Sequence, residues 1–506
     1  MKHLLIVVFS VYVLILAFFS LDEFPNENIN TNYFPYLAER PITEDGFYAL
    51  KVAWNIGNGD GVVYNFNQPT TGIQPLFVFL TSGLAFINKI FNGDKNTFLR
   101  LVILFSGLIQ ILFVFILFKL SLLLAPLASK NKLFFISILV VLYNFKLFLN
   151  FFNGLETGLY LVLLGLCIYK TFKLLESKPS LSNNILFGFL LGITALARLD
   201  FIIIAVTLIL LLMYNKKISF SDLIVISISL TFVLTPWFYY VFSIQNSFIP
   251  TSAVIQSGIS TSEFSYRIDQ FIFSLLSNFV PFYHAGLTKT ILFYPIAIVV
   301  ITIIIKYKRQ LLLKYWNNEV LKYWIISISL ILVIYLIFAS QPYFYFLYIS
   351  IPSVITLPFF IVLIFEYFEK KSKLINFTLQ TIIIIFFFIN IFYYFHIPKN
   401  VAGLAVRPIY IQNHLHMYKK IGMAQCGISG FFFDNIINLD GKVNLQALKA
   451  IKSNNLYQYI NDEKIDVLIE WKEWFEILDE EALSKNFVRY FPDLADRKTI
   501  VYTKDK

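Results

Sequence analysis

Long apolar runs separated by short polar segments make up most of the chain before residue 397. A helix that crosses a bilayer needs about 20 apolar residues. The first run, His3–Ser20, is followed by eleven others: Leu76–Phe91, Phe98–Leu120, Leu133–Asn150, Thr157–Leu175, Ile185–Ala197, Phe201–Tyr214, Leu223–Phe242, Ile291–Ile305, Trp324–Phe338, Phe344–Phe365 and Leu374–Tyr394. Because Leu76–Phe91 is short and carries Thr-Ser-Gly in its middle, we predict a juxtamembrane or re-entrant helix there and eleven transmembrane helices in all.

The distribution of Lys and Arg predicts the orientation, because basic residues in short loops stay cytoplasmic. Lys2 precedes the first run and three acidic residues follow it closely, so the N-terminus is predicted to be cytoplasmic. Phe18 and Phe19 occupy the place where small residues would mark signal cleavage, which indicates a retained signal anchor. If Leu76–Phe91 does not span, 17 of the 26 basic residues before residue 397 are cytoplasmic. Twelve of the 17 acidic residues then lie on the extracytoplasmic face, as does the C-terminal tail.

Composition agrees with a polytopic α-helical membrane protein. Hydrophobic residues make up 58% of the chain and charged residues 14%, which excludes an ordinary soluble protein. The net charge of +10 does not indicate a nucleic-acid partner, because the basic excess lies in membrane loops. The cysteines are Cys167 and Cys426, which exclude a disulfide framework and a Cys-x-x-Cys metal site.

Candidate chemistry begins in the first external loop, residues 21–97. Glu44 and Asp45 place two adjacent carboxylates beyond the first span, and carboxylates at a membrane surface indicate function. An amphipathic stretch from Phe47 to Ile56 follows, and a Gly-x-Gly-x-Gly series then ends the helix. These glycines do not form a nucleotide-binding loop, since no strand precedes them and no Gly-Lys-Ser/Thr follows. The alternative interpretation of this loop is an interfacial anchoring helix with a glycine turn.

The predicted topology brings four further segments to the same face. They are the turn Asn153 to Gly158 (NGLETG), the turn from Arg198 to Asp200, the loop from Gln245 to Lys289, and the tail. The opposite face has short basic loops without candidate chemistry.

The loop sequences EDGFYALKVAWNIGNGDG and PTTGIQPL resemble the first-loop signature of bacterial GT-C glycosyltransferases. This superfamily uses polyprenyl-phosphate sugars and includes protein O-mannosyltransferases, aminoarabinose transferases and arabinofuranosyltransferases. Its signature has an acidic pair after the first span, an aromatic residue three positions later and a Pro-Thr-x-Gly-x-x-Pro-Leu run. Glu44, Asp45 and Tyr48 match the first part, and the second part is matched by Pro69, Thr70, Gly72, Pro75 and Leu76.

Other motifs follow in the order of the superfamily, and the matches cover about residues 40 to 260. NGLETG resembles its Gly-Met-Glu-Thr turn and supplies Glu156; ALARLD resembles its Thr-Arg-Pro-Glu turn and supplies Arg198 with Asp200. NSFIPTSA, which contains Ser252, resembles its Pro-x-Ser motif. The Lys that often follows this motif is replaced by Gln256.

The resemblance implies a site that transfers a sugar from a polyprenyl phosphate to an acceptor hydroxyl on a glycan, lipid or protein. Glu44 or Asp45 would be the general base. The spacing to Tyr48 favours Glu44, but Asp45 reaches the same point if the helix begins one residue later. Arg198 would bind the departing phosphate, with Arg267 or Lys289 as further cations, and a single displacement implies inversion. The predicted substrate contacts are Tyr48, Asn65, Thr70, Gln74, Glu156, Asp200, Ser252 and His284.

Three alternatives for these residues stay open. Arg198 could form only a structural ion pair with Glu156 or Asp200. A transporter or flippase for lipid-linked glycans would need a polar track through the spans, whereas charge is almost absent from the apolar runs. A non-enzymatic scaffold would leave the acidic pair unexplained. A divalent ion beside Glu44 and Asp45 is compatible with the chemistry, but the sequence does not require a cofactor.

Residues 397–506 differ in character from the transmembrane region, residues 1–396. Strands are predicted at Ile421–Ala424, Asn435–Leu439 and Asp466–Ile469, with helices at Leu445–Ser453 and Leu456–Ile460 between them. We therefore predict a small extracytoplasmic α/β domain, either an acceptor-binding module or a structural lid. Its segment from Gly427 to Asn444 also resembles the external domain of some GT-C members. His414 and His416 have no acidic or Cys neighbours, which favours a surface pair over a metal site.

Overall fold

The fold consists of apolar helices followed by a C-terminal α/β unit. The computed structural model describes residues 2–19, 24–25, 40–65, 68–176, 180–256, 264–268, 315–338, 351–369, 404–476, 480–490 and 499–504, with isolated positions at 478, from 302 to 313 and from 377 to 391. The helices before residue 370 are α1 (Lys2–Ala17), α2 (Glu44–Asn58), α3 (Pro75–Ile90), α4 (Lys95–Leu124), α5 (Lys130–Tyr143), α6 (Phe145–Asn150), α7 (Thr157–Glu176), α8 (Leu181–Ala197), α9 (Phe201–Tyr214), α10 (Phe220–Gln245), α11 (Thr251–Gln256), α12 (Glu319–Phe338) and α13 (Ser353–Glu369).

Four of the described helices are long and apolar enough to cross a bilayer, namely α4, α7, α10 and α12. The shorter apolar helices are α3, α8, α9 and α13. Each coincides with a predicted apolar run. In such a run the helix bonds its own backbone groups, and Leu, Ile, Val and Phe side chains are compatible with lipid. The predicted span Ile291–Ile305 lies outside the described residues, and Leu374–Tyr394 has only isolated positions within them.

One predicted span is wrong as a continuous helix. The run Leu133–Asn150 forms two helices, α5 and α6, which meet at Asn144. The Asn144 side chain accepts a hydrogen bond from the backbone amide of Leu147 at 3.0 Å, as an N-cap residue does. Hydrophobicity alone predicts a single helix here, because the run carries few polar residues that could signal the break.

The C-terminal unit has a five-stranded mixed sheet. Its elements are α14 (Val406–Tyr410), a π-helical turn (Ile411–Leu415), β1 (Ile421–Met423), α15 (Gly427–Phe432), β2 (Ile436–Asn438), α16 (Leu445–Lys452), α17 (Leu456–Asp462), β3 (Val467–Trp471), α18 (Lys472–Phe475), α19 (Glu480–Asn486), β4 (Val488–Tyr490) and β5 (Thr499–Thr503). The strand order is β2-β1-β3-β5-β4, with β1 parallel to both neighbours and β5 antiparallel to both of its own. The three strands and two helices named from the sequence lie at the predicted positions.

A buried ion pair fixes the loop after β1. Arg407 Nη1 lies 2.9 Å from Glu470 Oε1, and both side chains are almost fully buried. The second oxygen of Glu470 accepts hydrogen bonds from the backbone amides of Ala424 (3.0 Å) and Gln425 (2.6 Å). Glu470 therefore connects the backbone of this loop to β3 and to Arg407, which gives the loop a defined conformation.

The C-terminal unit packs against α2 through the loop after β1. The Tyr48 hydroxyl donates to the Ala424 carbonyl at 2.8 Å and accepts from the Cys426 amide at 3.0 Å. The Asn65 amide group donates to the Ile436 carbonyl at 2.7 Å and its oxygen accepts from the Asn438 amide. Polar side chains of the first loop therefore satisfy buried backbone groups at the ends of β1 and β2.

The segments that flank α3 contact the C-terminal unit. At the start, Gly72 approaches the Lys442 carbonyl so closely that a Cβ would overlap it. Beyond its end, Lys95 donates to the Phe432 carbonyl at 3.2 Å and lies 3.5 Å from Asp434. The segments before and after this 16-residue helix therefore both contact the C-terminal unit.

Cysteine labelling tests the predicted orientation. In a variant with Cys167 and Cys426 replaced, we expect a cysteine at Ser453 to react with a membrane-impermeant thiol reagent in intact cells, because the C-terminal unit is predicted to be extracytoplasmic. A cysteine at Asn131, in the basic segment before α5, should react only after the membrane is permeabilised. Both positions are exposed, so accessibility within the protein does not bias the comparison. The reverse pattern would contradict the orientation.

Candidate active site

The start of α2 is fixed against the NGLETG turn. Thr43 is the N-cap residue: its Oγ1 accepts from the Gly46 amide at 3.3 Å and donates to the Asn153 carbonyl at 2.9 Å. Gly46 lies so close to the Asn153 carbonyl that a Cβ would overlap it. This contact brings the acidic pair of the first loop beside Glu156.

A cavity of about 110 Å³ lies where these segments meet α8 and the C-terminal unit. It is lined by Asp45, Tyr48, Ala49, Gly72, Ile73, Gln74, Phe77, Leu155, Glu156, Arg198, Ser252, Lys442 and Val443. Six of these residues are sequence-predicted site residues. The cavity therefore joins the first loop, the NGLETG turn, the Arg198 turn and the loop after α10.

The two adjacent carboxylates of α2 point to different partners. Glu44 accepts hydrogen bonds from the backbone amides of Gly427 and Ile428 at the start of α15, the latter at 3.1 Å. Asp45 instead lines the cavity, and 40% of its side chain is exposed. The helix begins at Glu44, so the later start that would let Asp45 replace Glu44 does not occur. It is the contact of Glu44 with α15 that leaves Asp45 as the carboxylate of the cavity.

Burial raises the pKa of Glu44 to about 7, while the amides of Ile428 and Gly427 act in the opposite direction. The nearby Asp45 carboxylate adds a smaller increase. Glu44 therefore holds its proton in the folded protein at pH values where the unfolded chain has lost it. Even protonated, it retains lone pairs for the two amides.

We expect this raised pKa to make the folded protein lose stability as pH rises from about 4.5 to about 7. The stabilising proton is fully bound below the unfolded pKa of 4.5 and is lost as pH passes the folded value. Glu44→Gln cannot lose a proton, so its melting temperature should depend less on pH in this window than that of the wild type. Asp45→Asn is the matched control and should keep most of the wild-type slope, because the Asp45 carboxylate contributes only a smaller part of the rise in the Glu44 pKa. Identical slopes for the wild type and Glu44→Gln would contradict the assignment.

Arg198 lies at the end of α8 between two carboxylates. Its Nη1 is 3.0 Å from Glu156, and its Nε and Nη2 form a two-point contact with Asp200 at 3.2 and 2.8 Å. The guanidinium is only 6% exposed but lines the cavity. Burial raises the pKa of Glu156, and Arg198 partly offsets that rise. The structural ion pair of Arg198 with Glu156 and Asp200 is therefore present, and Arg198 also lines the cavity.

Lys442 lines the cavity together with Arg198 and was not predicted from the sequence. Its Nζ lies 3.3 Å from Asp45 and 3.7 Å from Asp440. Burial lowers the pKa of Lys442, but Asp45 and Asp440 outweigh that effect and hold it above its usual value. Lys442 lies within the tail segment that resembles the GT-C external domain, and the adjacent Asp-Gly turn was the available signal.

The other predicted site residues that the structure describes are not part of the cavity lining. Asn65 and Thr70 are buried in backbone contacts, with Thr70 accepting from the Gly72 amide at 3.2 Å. Asp200 contacts Arg198 and the Tyr335 hydroxyl, but it is absent from the cavity lining. Arg267 donates to the Ile337 carbonyl at 3.0 Å. The predicted site residues Lys289 and His284 lie outside the described residues.

Within the described parts of the chain, no group of three His, Cys, Asp or Glu side chains is placed to bind a metal ion. Asp45 and Asp440 both face Lys442, which would compete with a cation. His414 belongs to the π-helical turn, where its ring packs on Tyr410. No step of the chemistry is therefore assigned to a metal.

No protein-family model and no curated protein matches the chain. Among solved structures, ArnT from Cupriavidus metallidurans matches in its complex with undecaprenyl phosphate and in its apo state, each with a TM-score of 0.61. The chain has the ArnT fold. Sequence identity is 12% and 11%, and each alignment covers 99% of this chain and 98% of ArnT. Because ArnT has the GT-C fold, the fold that the loop motifs predict is confirmed. The ArnT fold also supports a membrane location.

Proposed function

We propose that this protein transfers a sugar from a polyprenyl-phosphate donor to an acceptor hydroxyl. The observation that carries the proposal is a cavity in which an accessible carboxylate, Asp45, and a buried guanidinium, Arg198, line the same space. The ArnT structure with undecaprenyl phosphate supports a lipid phosphate as the ligand class. The loop motifs, which resemble those of polyprenyl-phosphate-dependent enzymes, add independent support.

Asp45 acts as the general base in this proposal. It takes the proton from the acceptor hydroxyl as that oxygen forms a bond to the anomeric carbon. Glu44 is less suited to this task, because both of its oxygens accept hydrogen bonds from the start of α15. Its role is to hold the C-terminal unit against α2 and thereby to define one wall of the cavity.

Arg198 stabilises the leaving group. The bond between the anomeric carbon and the phosphate oxygen breaks, and the electron pair stays on the polyprenyl phosphate. A guanidinium fixed in advance by Glu156 and Asp200 needs little reorganisation to meet this growing charge. One base and one displacement give inversion at the anomeric centre.

The reaction is assigned to the extracytoplasmic face. The cavity is built from helix ends and loops. The sequence predicts that the basic clusters near residues 130, 216 and 370 belong to the loops of the opposite face. By the positive-inside rule the cavity side is extracytoplasmic. The acceptor would then be a glycan, lipid or protein of the cell envelope.

Release of the lipid product tests the proposal against transport. Purified full-length protein in lipid nanodiscs is incubated with polyprenyl-phosphate sugars labelled in the sugar, together with an envelope fraction as acceptor. We expect free polyprenyl phosphate and label in the acceptor in equal amounts. A transporter or flippase would move the donor across proteoliposomes without cleaving it, and a scaffold would do neither. Absence of cleavage across hexose, pentose and amino-sugar donors would overturn the proposal.

A further inference from the structure

The Lys442 backbone is held rigidly at the edge of the cavity. Its amide donates to Asp440 Oδ1 at 2.8 Å, and its carbonyl accepts from Thr251 Oγ1 at 2.8 Å. The close approach of Gly72 leaves no room for movement on the third side. The C-terminal unit therefore delivers this lysine to a fixed point between the first loop and the loop after α10.

The Lys442 side chain, in contrast, lies within reach of several groups. Its Nζ lies 3.3 Å from Asp45, 3.7 Å from Asp440 and 5.7 Å from the centre of the Tyr48 ring. The pair with Asp45 is partly exposed, since 40% of the Asp45 side chain and 19% of the Lys442 side chain are accessible. Such a pair is weak, and a stronger anion can displace it.

The cavity lining has few other cations for an anionic ligand. Gln74 occupies the position before the Pro-Leu end of the loop motif, and Gln256 replaces the lysine expected after the Pro-x-Ser motif. Arg198 already meets two carboxylates, so its charge is largely balanced before a ligand arrives. A second cation from another part of the chain would restore the excess of positive charge that a phosphate requires.

We propose that Lys442 leaves Asp45 and binds the phosphate of the lipid donor, so that donor binding frees Asp45 to act as the base. The inference rests on the proposed function and adds to it a residue from the C-terminal unit. Before binding, Lys442 neutralises Asp45 and holds its carboxylate away from the acceptor. When the donor phosphate takes Lys442, Asp45 becomes free to accept the hydroxyl proton, and sugar transfer becomes coupled to occupation of the donor site.

Binding of radiolabelled farnesyl phosphate, measured by equilibrium dialysis with full-length protein in nanodiscs, tests this exchange. Lys442→Gln should weaken binding by about 10-fold or more, because a charge-assisted contact to phosphate is lost. Asp45→Asn should tighten binding by about two- to fivefold, because the competing partner of Lys442 is removed. In the Lys442→Gln background, Asp45→Asn should have no effect.

The controls separate this inference from its alternatives. Lys420→Gln removes an equal charge from the same unit, where Lys420 pairs with Glu463 at 2.7 Å, and should bind like the wild type. Lys442→Arg should retain most of the affinity. Equal tightening by Asp45→Asn in both backgrounds would indicate simple repulsion and overturn the exchange. Wild-type affinity in Lys442→Gln would overturn the role of Lys442 alone, whereas no binding by the wild type would overturn the proposed donor class.

Discussion

Replacement of Asp45 by Asn is expected to lower the turnover number by about 10²–10⁴-fold, because the amide cannot accept the proton of the attacking hydroxyl. The substitution preserves size and leaves the Glu44 contacts with α15 intact. Donor binding should persist or tighten. The measurement is release of polyprenyl phosphate at saturating donor, normalised to the folded protein recovered by size-exclusion chromatography.

Glu44→Gln is the matched control for this variant. This variant also replaces a carboxylate by an amide, at the neighbouring residue. The Glu44 oxygens contact the backbone of Gly427 and Ile428, and Glu44 does not line the cavity. We expect the variant to retain turnover within about tenfold while changing the pH dependence of stability. A large loss of turnover in Glu44→Gln with normal turnover in Asp45→Asn would reverse the assignment of the base.

Arg198→Ala is expected to lower turnover by about 10²–10³-fold, the range typical for removal of one charge-stabilising donor. The loss should exceed the loss in donor affinity, because the phosphate gains charge as the sugar departs. Stability should also fall by about 3 kcal/mol, since Glu156 is left buried without its partner. Arg198→Lys keeps a charge but not the two-point contact with Asp200, so it should recover only part of the turnover.

Glu156→Gln separates the two consequences of losing Arg198. This variant breaks the same buried ion pair but leaves the guanidinium bonded to Asp200 in the cavity. If Arg198 stabilises the leaving group, Glu156→Gln loses stability and retains far more turnover than Arg198→Ala. Parallel losses of stability and turnover in both variants would show that Arg198 only holds the turns together.

The sequence predicted most helices and three strands because their patterns are local. An apolar run such as Phe201–Tyr214 predicts a helix from its own residues, and the strand Ile436–Asn438 is bounded by turn residues. The break at Asn144 was missed because one asparagine side chain decides it. The juxtamembrane placement of Leu76–Phe91 stays a prediction from the basic residues of distant loops.

The candidate site was only partly predictable, for a different physical reason. Motif order brought Asp45, Glu156 and Arg198 to one face, but it did not distinguish Glu44 from Asp45. Neighbours on a helix point about 100° apart, so the docking of α15 decides which carboxylate faces the cavity. Lys442 depends on a contact across 397 residues of sequence, which no local pattern encodes.

The hydrogen bonds between the first loop and the C-terminal unit also set an order of events during synthesis. Tyr48 and Glu44 find their backbone partners 376 and 383 residues later in the chain. At about 5–20 residues per second, the first loop waits roughly 20–80 s for the ribosome to produce those partners. We therefore expect a chain truncated before Gly427 to leave Glu44 without its backbone partners and the cavity without its wall at Lys442 and Val443.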